Sequence, residues 1–293
     1  MGLGNILAKT GDALGNAPLI GSLLKPKDKI AVLRLSGVIA DGGRRNSISH
    51  SRYEKLIDEA FETYNLKALC LIINSPGGSP AQSALISNQI RRLAKEKKIP
   101  VYAFIEDVAA SGGYWLALAA DHIYALPCSI VGSIGVISAS FGFQELINRY
   151  GVERRVHTSG KEKGFLDPFQ EEKPADVKRL KTLQSDIHDQ FKNWVRQRRG
   201  EKLKGEEKEI FEGQFWTSAK AQDYGLIDGL GDYKTIMTEA FGKEIKFKDF
   251  KLDKGLISGL LGSTETRNFA LNSWSDDLVN TLEDMATRNR YGL

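Results

Sequence analysis

Two cysteines in 293 residues, Cys70 and Cys128, cannot make a disulfide framework. Four histidines, with no pair at metal-ligand spacing, give no basis for a zinc site, and neither a metal nor a cofactor is expected. No run approaches ~18 consecutive apolar residues, so no membrane-spanning helix is expected. Charge of one sign is also lacking: 41 basic against 37 acidic residues leave a net +4. With so small a basic surplus, and no basic stretch interleaved with aromatics, nucleic acid is not an expected partner. The densest basic stretch, VRQRRGEKLKGEEKE, mixes in acids and reads as a solvated helix end. Residues 1–27 have no export-signal core, because Lys, Asp and Gly interrupt Leu3, Ile6, Leu7 and Leu14. They read as an N-terminal tail able at most to rest on a membrane surface. The compartment stays open between cytoplasmic and membrane-associated.

What is present is an alternation of short apolar runs with helical periodicity. KIAVLRLSG (29–37), KALCLIIN (67–74) and IPVYAFIED (99–107) predict strands, with a further strand at HIYAL. Their near-continuous apolar character suits strands covered on both faces. Between them, residues 51–65 and 81–98 carry apolar residues at helical spacing. Beyond, the sequence predicts a helix at FQELINRYG, a strand at VERRVHT, a long amphipathic helix over 174–199 and a turn-bounded helix in GQFWTSAKAQDYGLIDGLG. This order predicts an α/β fold with a mostly parallel sheet.

Three turns carry chemistry. NSPGGSP (74–80) follows a buried strand, and Gly77 and Gly78 free backbone N–H groups to face an anion. No Gly-Lys-Ser/Thr follows, so it is not a phosphate loop. In DVAASGGYWLALAAD (107–121), Ser111 stands between a strand and an apolar helix. A serine there can serve as a helix cap. The helix beginning at its glycines has no polar face and should be buried, so its N-terminus sits where developing negative charge is stabilised. The G-x-S-x-G elbow is absent, because Ala109 replaces the first glycine. His50, His122, His157 and His188 all lie in polar contexts and make poor candidates for a base. Lys161 and Lys163, in HTSGKEKGFLDPF, are the alternative. A lysine base must be neutral; moving its pKa from ~10.4 to ~7.5 takes roughly 4 kcal/mol, which only burial or a nearby cation supplies. Spacing alone does not choose between the two lysines. Tyr114 and the GSIGVIS loop are the nearest candidates for a specificity pocket.

SPGG, ASGGYW, GSIGV, SGKEKGFLDPF and QFWTSAKAQDYGLID occur in this order, and the combination resembles the signal peptide peptidase A (protease IV) family with its SohB-like relatives. The resemblance covers roughly residues 28–242. It implies a single copy of the crotonase/ClpP-like fold, with 243–293 a C-terminal extension, and a Ser-Lys peptidase. By that resemblance Ser111 is the nucleophile and Lys163, in the G-x-x-K turn, the base. Ser133 orients the lysine amine, and the N–H groups of Gly78 and Gly112 form the oxyanion hole. The implied substrates are apolar peptides such as signal-peptide remnants or unfolded segments. The implied assembly is a homo-oligomeric ring in which neighbouring subunits can share a site. Two other readings suit the fold: an acyl-CoA enzyme, for which Glu106 and Asp107 are the available acids, and a non-catalytic ring scaffold.

Overall fold

A computed structural model describes residues 27–41, 47–160 and 162–252. Lys161, most of the expected tail and the C-terminal extension beyond 252 lie outside the described residues. Eight strands form one sheet: β1 (Lys29–Ser36), β2 (Leu66–Ser75), β3 (Val101–Ala110), β4 (His122–Ala125), β5 (Ile130–Gly132), β6 (Phe215–Thr217), β7 (Gly229–Leu230) and β8 (Lys246–Phe250). The main path runs β6-β5-β3-β2-β1-β8, with β4 beside β3 and β7 beside β4. Every pairing is parallel except β5 with β6. This is the α/β, mostly parallel architecture that the alternating pattern predicts.

The apolar runs are continuous because both faces of the sheet are covered. On β2, Leu69, Leu71 and Ile73 enter one core with α1 (His50–Phe61), α2 (Pro80–Lys97) and α3 (Gly112–Ala117). Ala68, Cys70 and Ile72 enter a second core against Met237 of α8 (Tyr233–Phe241). Burial pushes the Cys70 thiol pKa far up, so this cysteine behaves as a small hydrophobe. Ser79 caps α2, its side chain accepting from the Gln82 N–H, and Pro80 occupies the first turn.

The long helix α5 (Pro174–Arg199) is anchored only by its second half, where Phe191, Val195 and Arg199 are buried. Trp194 Nε1 donates to the Trp115 carbonyl at 3.2 Å, and Arg198 donates to the carbonyls of Leu118 at 2.8 Å and Ala120 at 2.9 Å. Arg199 donates to the Gly225 carbonyl and pairs with Asp228. The first half of α5 stands clear of the sheet. It closes an outlying segment with α4 (Gln144–Arg149), a six-residue helix with no buried residue. Two short helices, α6 (Glu207–Ile210) and α7 (Ser218–Asp223), complete the order.

Several expectations are corrected. VERRVHT forms no strand; residues 152–157 are irregular and exposed, with Arg155 paired to Glu153 and Arg154 to Asp167. Its alternation meets no sheet edge that could supply hydrogen bonds. Helix α1 stops at Phe61, leaving Tyr64 outside it. The segment read as one helix in GQFWTSAKAQDYGLIDGLG supplies β6, α7 and β7. Strand β8 follows the boundary expected at 242 and pairs in parallel with β1, so the sheet runs on to Phe250.

Candidate active site

Three strand ends converge on Ser111. Ser75 of β2 pairs with Ala109 of β3, and Ala110 pairs with Gly132 of β5. The SPGG turn, the Ser111 turn and the GSIG turn therefore leave the sheet side by side. β3 pairs with β4 along Tyr102–Ile105 and with β5 along Val108–Ala110, so the sheet splits below the site and opens at the serine end.

Ser111 adopts φ 52 and ψ −123, a region costing a non-glycine residue of order 1–3 kcal/mol that persists only where the surroundings enforce it. Its N–H donates to the Gly132 carbonyl at 2.8 Å. Its hydroxyl makes no capping bond, so the cap reading fails. The helix behind it is buried on every side, as expected: residues Gly112 to Ala120 are all inaccessible or nearly so.

The glycines are set by close approach. A Cβ on Gly78 would stand 2.1 Å from the Ile39 carbonyl oxygen, and its φ is +139. A Cβ on Gly113 would stand 2.4 Å from the Ser75 carbonyl oxygen. A Cβ on Gly112 would lie 3.3 Å from the Gly78 nitrogen, which brings the two N–H groups together beside Ser111. Among the described turn and loop hydrogen bonds, neither N–H has a backbone acceptor. Two unengaged donors beside a hydroxyl can stabilise an oxyanion.

Ser133 follows Gly132, the residue whose carbonyl accepts from Ser111 N–H, so the two serines leave neighbouring strands at the same level. Ser133 also takes positive φ, 54, and its N–H donates to the Gln214 carbonyl at 2.6 Å. That carbonyl lies just before β6, whose antiparallel pairing to β5 sequence reasoning missed. Gly213 at φ 81, before Gln214, is the turn signal that could have marked it.

Lys163 does not line the cavity at Ser111. It is exposed, in a turn where its N–H donates to the Gly160 carbonyl at 3.3 Å. The cavity at Ser111, about 20 Å³, is lined by Gly78, Pro80, Gly112, Trp115, Val136, Phe191 and their neighbours, without Lys163. The lysine belongs to the outlying segment, which is tied to itself: Glu162 pairs with Arg179, the Leu166 N–H donates to Asp176, and Phe143 stacks near Phe169. It exposes several large apolar side chains, Ile137, Phe141, Leu146, Tyr150 and Val152, Phe141 by 79%.

The other candidates have structural work. Tyr114 is fully buried and donates to the Leu226 carbonyl at 2.7 Å, so it lines no specificity pocket. His188 Nε2 meets the Ile134 carbonyl at 3.1 Å, His122 stacks on Tyr102, and none of the four histidines bonds Ser111. Glu106 pairs with Arg34 at 2.7 Å and Asp107 accepts from Asn74. Both acids that an acyl-CoA enzyme would use are thus engaged away from the serine. Among the described residues no helix is long and apolar enough to cross a membrane.

Comparison with known proteins accords with this geometry. A 274-residue stretch, 90% of the chain, is 46% identical to a protein of Brucella abortus named Na(+)/H(+) antiporter NhaA. The chain spans 37% of that protein's length, and the antiporter name is not carried over. It is 34% identical over 209 residues to a Synechocystis sp. protein provisionally named a protease, covering 70% of each. It is 28% identical to Protease 4 of Haemophilus influenzae over 90% of this chain and 40% of that one. The profile of Peptidase family S49 matches residues 93–244. With more than half its length under that profile, the chain belongs to peptidase family S49.

Proposed function

We propose that the chain is a serine endopeptidase whose site is completed between copies of itself. The carrying observation is Ser111: a strained, uncapped serine beside two backbone N–H groups without acceptors. Ser111 Oγ attacks the peptide carbonyl carbon as its proton passes to the neutral amine of Lys163. The Gly78 and Gly112 N–H groups hold the oxyanion. The lysine, now charged, protonates the leaving amine, and water then hydrolyses the acyl-enzyme by the same proton route. Ser133 accepts from or donates to the amine and fixes its direction.

Lys163 acts on the serine of a neighbouring copy. Three observations support this: its exposure, its absence from the Ser111 cavity, and the large apolar side chains exposed on the segment that carries it. Docking of that segment on a second copy buries the apolar side chains and removes the lysine from water, which favours the neutral base. The apolar wall of the cavity fits apolar peptides such as signal-peptide remnants or unfolded segments.

The test is complementation. Ser111→Ala and Lys163→Ala are each expected to be inactive. Mixed after dissociation, they should regain roughly a quarter of wild-type hydrolysis, the share of contacts in a random ring that pair intact serine with intact lysine. An inactive mixture, alongside an active wild-type monomer, overturns the shared site. Absence of peptide hydrolysis by the wild-type assembly overturns the peptidase reading.

A further inference from the structure

A second groove, of about 420 Å³, runs between α2 and α5. It shares Pro80, Trp115 and Ile187 with the Ser111 cavity, so the two adjoin. We infer that this groove receives the stretch of substrate next to the scissile bond, an uncharged extended segment whose backbone is read by a ladder of side-chain amides. This rests on the peptidase reading and names the substrate's chemistry at that site.

The groove's walls have two textures. Pro80, Ala84, Trp115, Ile187 and Trp194 supply apolar surface. Gln190, Asn193 and Gln197 stand at i, i+3 and i+7 on α5, one stripe of the helix, with Asn88 of α2 also lining the groove. No Asp, Glu, Lys or Arg lines either cavity. A charged substrate side chain entering here meets no counter-ion, so any hydration it gives up is not repaid. A side-chain amide both donates and accepts, so a row of them satisfies alternating backbone N–H and C=O groups whatever the side chains. The lengths match: seven residues of helix rise about 10.5 Å, and three residues of extended peptide span about 10 Å.

The amides are available. Asn88, Gln190 and Gln197 make no hydrogen bond to another described residue, and Asn193 Oδ1 accepts from Arg196 while its Nδ2 stays free. The wall behind them is rigid. The Trp115 carbonyl accepts from Trp194 Nε1 of α5 at 3.2 Å and from Ser87 Oγ of α2 at 3.4 Å, pinning both helices to the nucleophile's own helix.

The experiment is a cleavage profile of the full-length assembly on a random peptide library, read by mass spectrometry. The wild type should deplete peptides lacking charge in a window of about three residues on one side of the cut. Gln190→Glu should admit Lys and Arg in that window, raising their rate relative to neutral peptides about tenfold over wild type. A ratio taken within one variant is insensitive to partial loss of folded protein, and Gln197→Glu offers a second position should the first fail to fold. An unchanged ratio in both variants, with the wild type cleaving and its Ser111 labelled by a fluorophosphonate, overturns the groove and leaves the peptidase standing. Failure of the wild type to cleave and to be labelled overturns both.

Discussion

Ser111 and Lys163 sit in opposite kinds of structure. The serine lies at the end of a fully covered sheet, on a backbone that neighbouring carbonyls and missing Cβ atoms leave no room to move. The lysine lies in a turn of an outlying segment whose contacts are mostly with itself and whose large side chains face outward. A nucleophile and an oxyanion hole need position above all, which a packed core gives. A lysine base needs a dry setting as well, and a single copy of this chain does not give Lys163 one. The difference teaches that the Ser111 half is rigidly built within one copy, which is why the lysine half is proposed to come from a neighbouring copy.

The sharpest break is Ser111→Ala, expected to lower peptide hydrolysis by about 10⁴-fold or more while leaving the oligomer intact, as read by steady-state kinetics and sedimentation. Next is Gly78→Ala. Its Cβ has only 2.1 Å to the Ile39 carbonyl, so the turn must move and displace one oxyanion donor. A loss of about 10²–10³-fold in kcat is expected, with KM nearly unchanged; normal kcat would remove Gly78 from the site.

The rigid half also depends on Arg199, whose side chain is 2% exposed and pairs with Asp228 at 3.0 Å. Asp228→Ala leaves that guanidinium without its counter-ion and should cost about 3–5 kcal/mol in denaturant unfolding. Burial pushes the Asp228 carboxyl up, but hydrogen bonds from Arg199, Lys202 and the Ile123 N–H outweigh it and hold its pKa at about 2. The unfolded value is about 3.9, so the carboxylate's contribution of about 3 kcal/mol is complete above roughly pH 5. It fades as pH falls through about 2, and the Asp228→Ala variant should show a flatter acid limb over that range. The smallest effect on the fold is expected for Phe141→Asp, at most about 0.5 kcal/mol on an exposed side chain. Its effect on assembly should be large. A Phe141→Asp variant that keeps both its oligomer and its activity would erase the distinction drawn between the two regions.

Much of the rigid half is legible in one dimension. Continuous apolar runs announce strands covered on both faces, and the glycines of SPGG and SGG announce backbone that touches backbone. The short strands escaped notice because three residues such as Phe215–Thr217 carry no period; their pairing comes from the sheet edge they meet. VERRVHT erred the other way, its alternation real but without an edge to join. Tyr114 sits next but two to Ser111 in sequence, yet its helix turns it away and into the core, where its hydroxyl donates to the Leu226 carbonyl.

The sequence by itself determined the parallel α/β sheet, the buried serine helix and the positions where only glycine fits, because each follows from local pattern and from the steric demands of a Cβ. Only the tertiary structure decided that Ser111, Ser133 and the SPGG turn leave adjacent strand ends, and that Lys163 stands outside the cavity they form. Which strand lies beside which is fixed by packing across the whole sheet, a property no short stretch of chain contains.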